Sequence, residues 1–289
     1  MRLTGLGAAA LALALLPAVS SCGSSSPHAS AKPDKTPTAK AHAITVTFDD
    51  PVAGTDDGYV GTIATQENIS PQALSEQILK DGAVEGVADG FSKSFEIPTD
   101  LQVHLSSEQG SPHYDPATKT VTIYYDFAAL TGDIIKASQP SISDDDLGKQ
   151  WAAVNDFVLV HELAHAFVDV LDIPVTGREE DAADGMATFF FTDFVPHGAE
   201  YAFAAAHFFA ALQDYQGSPD AAQFADEHSL SIQRAGDIAC KVAGSSEDNM
   251  NAIAQLGVLP DARLARCPDE YKQMSDAWRA LLKPHLRKS

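Results

Sequence analysis

The stretch Val158-Leu159-Val160-His161-Glu162-Leu163-Ala164-His165-Ala166-Phe167 decides how the rest of the chain is read. Its apolar residues are continuous with Val154 and Phe157, and a helix carrying them is apolar on every side, which places it at the centre of a fold. Upstream, Ser143 with Asp146 three residues later resembles a capping box, so the helix is expected from about Asp144 to Asp172. Two polar side chain types break the apolar run. His161 and His165 are four residues apart, so they share one helix face about one turn apart. Two imidazole nitrogens on one face can reach a single zinc ion at about 2.0–2.1 Å each. Glu162 stands about 100° further round the helix, where it can reach the attacking water without binding the metal. The alternative is a pair of satisfied core histidines, against which weighs the context of the string, on an expected helix, after an expected strand and in a chain that reads as exported.

A catalytic zinc takes a third protein ligand and keeps one position open. Pro174 and Gly177 end the first helix, and a second opens at Arg178-Glu179-Glu180-Asp181-Ala182-Ala183-Asp184. Glu180 and Asp184 share a face with the small Ala183 and Ala187. We expect Glu180 as third ligand and Asp184 as the partner that fixes a zinc histidine's far nitrogen. Glu179 and Asp181 are expected to be solvated residues of a helix N-terminus, which favours negative charge. Asp169 lies four residues after His165, but eight residues of straight helix rise about 12 Å, too far to wrap three side chains around one ion.

Before this centre the chain alternates. Ile44–Phe48, Leu101–Leu105 and Lys119–Phe127 read as strands, with Val121, Ile123 and Tyr125 on one face of the last. A helix is expected from Ser70-Pro71 to about Phe95, and Gly110–Pro116 reads as turns. After Phe127 the pattern is helical almost throughout. The fold class is therefore α+β, a small N-terminal sheet packed on a mostly helical C-terminal half.

These residues carry a family resemblance. His161–His165 followed by Glu180-x-x-Ala183-Asp184 resembles the gluzincin group of zinc peptidases, which implies a zincin-like fold with Zn2+ held by His161, His165 and Glu180. The chain from about 100 to 284 is also similar to a bacterial metallopeptidase family that carries the label of a domain of unknown function. The matching stretches are Tyr114-Asp115-Pro116, Thr122–Tyr125, His161–His165, Gly177–Asp184, Asp226–Leu230 and Gln233-Arg234. Where that family ends its strand in Cys-Tyr-Glu, this chain has Tyr124-Tyr125-Asp126. The resemblance implies hydrolysis of a peptide or protein substrate with Glu162 as general base. Outside the motif, His228 is the best candidate for a donor to the negative charge that develops on the scissile carbonyl oxygen. Asp226 and Glu227 would favour its protonated form, whereas His197 and His285 read as exposed and His207 as packed. Tyr124 and Tyr125 are rival donors, and the strand Lys119–Phe127 is the expected edge for an extended peptide. A second reading is a catalytically weak zinc- or peptide-binding lipoprotein, although pure zinc binding has no use for Glu162. A third, an amidase on cell-wall peptides, would use the same metal site.

The first residues describe delivery rather than chemistry. Arg2 precedes the apolar run Leu6–Leu16, and Val19-Ser20-Ser21-Cys22 resembles a lipobox. Residues 1–21 are expected to be a lipoprotein signal peptide, with Cys22 lipidated and the protein held on the outer side of the bacterial cell membrane. An ordinary signal peptide with a coincidental cysteine is the alternative. Residues 22–43, rich in Ser, Pro, Lys and Thr, read as a flexible tether, and 44–289 as the zinc metallopeptidase domain. Cys240 and Cys267 remain as an even pair in an oxidising compartment, either a disulfide or two buried thiols. The formal net charge of −21, from 19 basic and 40 acidic residues, argues against a nucleic-acid partner.

Overall fold

The structure, a computed structural model, describes residues 42–49 and 82–288. The expected leader, Cys22 and nearly all of the tether lie outside the described residues. Among the described residues no helix is long and apolar enough to cross a membrane.

A four-stranded sheet is formed by β1 (Ile44–Phe48), β2 (Leu101–Ser106), β3 (His113–Asp115) and β4 (Thr120–Tyr124), in the spatial order β1-β2-β4-β3. β1, β2 and β4 run parallel, and β3 alone is antiparallel. The helices are α1 (Ala83–Ser94), α2 (Tyr125–Ser138), α3 (Asp144–Val170), α4 (Glu179–Phe194), α5 (Gly198–Gln216), α6 (Ala221–Ala225), α7 (Ser231–Ser245), α8 (Glu247–Leu256), α9 (Asp261–Leu264) and α10 (Cys267–Leu282). This is the expected α+β architecture, a small sheet followed by a helical half.

Three local expectations change. The helix read from Ser70 does not run unbroken to Phe95: α1 starts at Ala83, behind Gly82 in the left-handed region at φ 61°, and what precedes lies outside the described residues. The strand read as Lys119–Phe127 stops at Tyr124. Tyr125 is buried in either conformation, so alternation alone cannot locate the switch to α2. The segment read as turns contains β3. It pairs with β4 through a turn in which Asp115 accepts from the Ala117 amide at 2.9 Å and the Thr118 hydroxyl at 2.8 Å, with Lys119 left-handed at φ 58°. A three-residue strand is too short to show a period. As a result β4 lies inside the sheet, and β3 is the edge beside the helix that carries His161 and His165.

α3 is that helix. Ser143 caps it by accepting from the Asp146 amide at 3.2 Å, as its sequence implies. Val154, Phe157, Val160, Leu163, Ala164 and Phe167 are wholly inaccessible to solvent. Edge-to-face packing of Phe91 on Phe167, at 5.3 Å between centroids, and a tilted contact of Phe91 with Phe190 at 4.9 Å join α1, α3 and α4. Such pairs contribute about 0.5–1.5 kcal/mol beyond burial alone. The continuous burial of residues 157–164 fixes the positions of His161 and Glu162.

The helical half is closed by the Cys240–Cys267 disulfide between α7 and α10. Its sequence separation of 27 implies about 3.5 kcal/mol in the chain-entropy description. One turn after Cys240, Gly244 lets the two helices touch: a Cβ there would stand 2.1 Å from the Cys267 carbonyl oxygen and 2.8 Å from the Tyr271 Cβ. Because backbone cannot yield as a flexible side chain can, Gly244→Ala is expected to destabilise by about 2 kcal/mol or more. A thermal melt should show the midpoint falling by several degrees. An unchanged midpoint would mean that the α7–α10 contact is looser than described.

Candidate metal centre

α3 and α4 bring His161, His165 and Glu180 together. His161 Nε2 lies 3.0 Å from Glu180 Oε2, His165 Nε2 lies 3.3 Å from the same oxygen, and the two imidazole nitrogens are 3.3 Å apart. Ligands at 2.0–2.1 Å around a tetrahedral zinc are separated by about 3.3 Å, so the three atoms already have the spacing of three corners of such a site. Glu162 faces the cleft next to them, 6 % exposed, and its interactions with neighbouring charges run through space rather than through a hydrogen bond. Asp169 is elsewhere, accepting from Tyr114 Oη at 2.6 Å and Lys119 Nζ at 2.5 Å, and takes no part.

Each histidine has support behind it. His161 Nδ1 donates to Asp184 Oδ1 at 2.9 Å, so Asp184 stands where helix spacing places it. Asp184 is in turn gripped by Arg234, whose Nε and Nη2 donate to its two oxygens at 2.8 Å each. Arg234 stacks over Phe209 at 3.9 Å. His165 Nδ1 donates to Glu179 Oε1 at 2.8 Å. This corrects the expectation that Glu179 is merely solvated. The same holds for Asp181, which accepts from Ser229 Oγ at 2.7 Å. Neither role is visible locally, because the partners are 14 and 48 residues away.

His228 also enters the site. Its Nε2 is 3.0 Å from Glu180 Oε2, and its Nδ1 is 3.0 Å from Asp226 Oδ1. The ligand atoms of His161, Glu180 and His228 all lie within 4.8 Å of one another. Two triplets therefore overlap on His161 and Glu180, one completed by His165 and one by His228. The first is the more compact, with every separation at or below 3.3 Å. Arg178, the residue before α4, donates through Nη1 to the carbonyls of Asp226, Glu227 and His228 at 3.1, 3.3 and 2.7 Å. It clamps the loop that carries His228. The sequence holds a signal for this loop, since Asp226–Leu230 and Gln233-Arg234 belong to the family-like stretches, but spacing assigns neither Arg178 nor Arg234 a role.

The site is a largely buried cluster of carboxylates and imidazoles that shift one another's protonation. Burial pushes the Glu162 carboxyl up, and the neighbouring histidines only partly oppose it. Burial works against a charged His165 ring, but hydrogen bonds to Glu180 and Glu179 outweigh it and raise its pKa to about 9. Glu180 is held well below the usual carboxylate range despite its burial, chiefly by hydrogen bonds from His161, His165 and His228. Asp184 is lowered likewise, by Arg234 against burial.

The cleft over the centre has two lobes. One is a cavity of about 270 Å³ lined by Phe127, Val158, Phe208, Phe209, Leu212 and Leu230 and bordered by Glu162 and His228. The other is an open groove running past β3, with Ser111, His113 and Tyr114 on one side and Glu179 and Glu180 on the other. Neither rival tyrosine lines either lobe. Tyr125 is buried and donates to the Asp49 carbonyl at 3.3 Å, and Tyr124 stacks on His113 at 5.9 Å. His207, read as packed, is exposed.

Comparison with known proteins adds a family model, DUF4344, described as "Putative metallopeptidase", which matches residues 64–282. No curated protein matches the chain, and no solved structure does.

If zinc is the ion, it competes with protons for these imidazoles. In the metal-free protein the His165 ring is charged below pH about 9, so zinc uptake at pH 7 is expected to release protons and apparent affinity to rise as pH climbs towards 9. Calorimetry in two buffers of different ionisation enthalpy would count the protons; none released would contradict the arrangement. In the same assay Glu179→Gln should weaken zinc by about 10–100-fold, as loss of a supporting carboxylate does, and Glu180→Ala by more.

Proposed function

The chain belongs to the DUF4344 family, whose description is "Putative metallopeptidase" and whose match covers residues 64–282, and on that premise we propose that it is a zinc-dependent peptidase in which His161, His165 and Glu180 hold the metal and Glu162 is the general base. The observation that carries this reading is the spacing of 3.0–3.3 Å among the three ligand atoms, with an unligated, buried glutamate beside them. A bound zinc would polarise the scissile carbonyl and lower the pKa of the attacking water towards 7.

The chain's own residues do the rest. Glu162, raised by burial, takes a proton from the water and passes it to the leaving amine. Asp184 and Glu179 hold the far nitrogens of His161 and His165, which would leave each Nε2 free to bind the metal. Arg234 keeps Asp184 ionised. His228, on the cleft wall, is placed to donate to the oxygen that gains negative charge. An extended peptide is best received along β3 rather than β4, because β4 is paired on both sides and β3 borders the groove. The competing reading, a weak zinc-binding lipoprotein, leaves unexplained why a carboxylate should be buried at the metal without binding it.

We extend the proposal to location. The basic start, the apolar run and Val19-Ser20-Ser21-Cys22 fit a lipid-anchored protein outside the cytoplasm, and the disulfide between α7 and α10 suits an oxidising compartment.

Glu162→Gln is expected to retain zinc while peptide hydrolysis falls by about 10²–10⁴-fold, the usual contribution of a general base. Retained zinc with full turnover would rule out Glu162 as the base. In cells, Cys22→Ala should abolish incorporation of labelled fatty acid; persistent label would end the lipobox reading.

A further inference from the structure

The apolar lobe of the cleft is assembled from four separate segments. Phe127 comes from α2, Val158 from α3, Phe208, Phe209 and Leu212 from α5, and Leu230 from the residue before α7. Along α5 the exposure is graded. Phe208 is buried, Leu212 four residues on is half-buried, and Gln216 four residues further is exposed. Residues four apart share a helix face, so these three trace one wall of the lobe from floor to mouth. The walls are held before anything enters. Phe208 and Phe127 meet edge to face with 6.3 Å between centroids. The Arg234 guanidinium lies 3.9 Å over the Phe209 ring and is itself fixed by its two bonds to Asp184. A pocket ordered in advance spends little of the binding energy on its own reorganisation.

The lobe opens onto the chemistry. Glu162 and His161 belong to its lining, and Val158 precedes Glu162 by about one turn of α3. A group held in it therefore lies next to the atoms that Glu162 serves, not several residues along a bound peptide. The volume is about 270 Å³. An apolar cavity of about 150 Å³ already holds benzene, so a side chain of leucine, methionine or phenylalanine size fits. Charged side chains suit it poorly. Arg234 is occupied by Asp184, and an acidic group would meet Glu162 and Asp226 on the same lining. A basic group would meet Arg234 and, by pairing with Glu162, would take the base out of use. Deeper in, the apolar walls offer a charge no partner in exchange for its water.

From these observations we propose that this lobe is the specificity pocket of the cleft, taking a large apolar side chain from a residue that flanks the scissile bond, with Phe208 as its floor and Leu212 setting its width. This rests on the reading of the centre as a peptidase site. One methylene in an apolar pocket changes kcat/KM by about 10–200-fold, so leucine at the flanking position is expected to exceed alanine by at least about tenfold.

The test uses the zinc-loaded full chain and a proteome-derived peptide mixture, with cleavage sites read by mass spectrometry. Leucine, methionine and phenylalanine are expected to be enriched at one fixed position beside the cut. Leu212→Trp, which narrows the lobe, should lower the ratio of kcat/KM for a leucine peptide over its alanine counterpart by at least about tenfold, with zinc content and melting midpoint those of the wild type. No apolar enrichment beside the cut, or a ratio that Leu212→Trp leaves unchanged, would overturn the proposal. If Leu212→Trp fails to fold, Leu212→Ala decides: the wider lobe should move the preference towards phenylalanine and tryptophan, and an unmoved preference overturns it. If the wild type cleaves nothing, the peptidase reading fails, and the pocket is then read without turnover. Peptides retained from the same mixture by immobilised Glu162→Gln protein should be rich in large apolar residues, and adding Leu212→Trp should remove that bias. Retention without the bias would overturn the pocket as well.

Discussion

The structure depends on the Glu180 carboxylate, one oxygen of which faces three imidazole nitrogens across 3.0–3.3 Å. Without a metal ion the hydrogen bonds from these rings hold Glu180 well below the usual carboxylate range and raise His165 to about 9. Glu162, Glu179, Asp184 and Asp226 stand close by, and Arg234 is the guanidinium that answers them directly, through Asp184. A divalent ion among the Nε2 atoms and Glu180 would replace the protons that these imidazoles hold.

Most of the geometry is organised by the first two turns of α4 and the residue before them. Arg178 clamps the loop of His228, Glu179 supports His165, Glu180 faces the imidazoles, Asp181 holds Ser229, and Asp184 supports His161. An acidic first turn is stabilised by the helix dipole in any case, but here nearly every side chain in it has a second assignment. Ala183 and Ala187 beneath these turns are wholly buried, and residues 157–164 of α3 are buried throughout. The disulfide between α7 and α10 holds α7, and α7 carries Arg234. Stability far from the chemistry is therefore coupled to the orientation of His161.

The sheet presents β3 beside α3 and carries Ser111–Tyr114 along the groove. An apolar cavity walled by Phe208, Phe209 and Leu212 of α5 lies at the other end. An extended chain laid along β3 would cross Glu162 on its way into that cavity.

How much of this was legible in the sequence follows from how far each interaction reaches along the chain. Helix geometry is local, so the i,i+4 spacing of His161 with His165 and of Glu180 with Asp184 could be read directly, as could the cap at Ser143 and the apolar surround that makes α3 central. The α+β order and the pairing of Cys240 with Cys267 were legible for the same kind of reason, one from alternation and the other from an even count. Tertiary structure decided the contacts between distant segments: Glu179 beneath His165, Arg234 on Asp184, Arg178 on the 226–228 carbonyls, and β3 rather than β4 at the edge. Each depends on which surfaces meet when α3, α4 and α7 pack. Periodicity reports which face of an element is buried, but it does not report which partner the buried face will find.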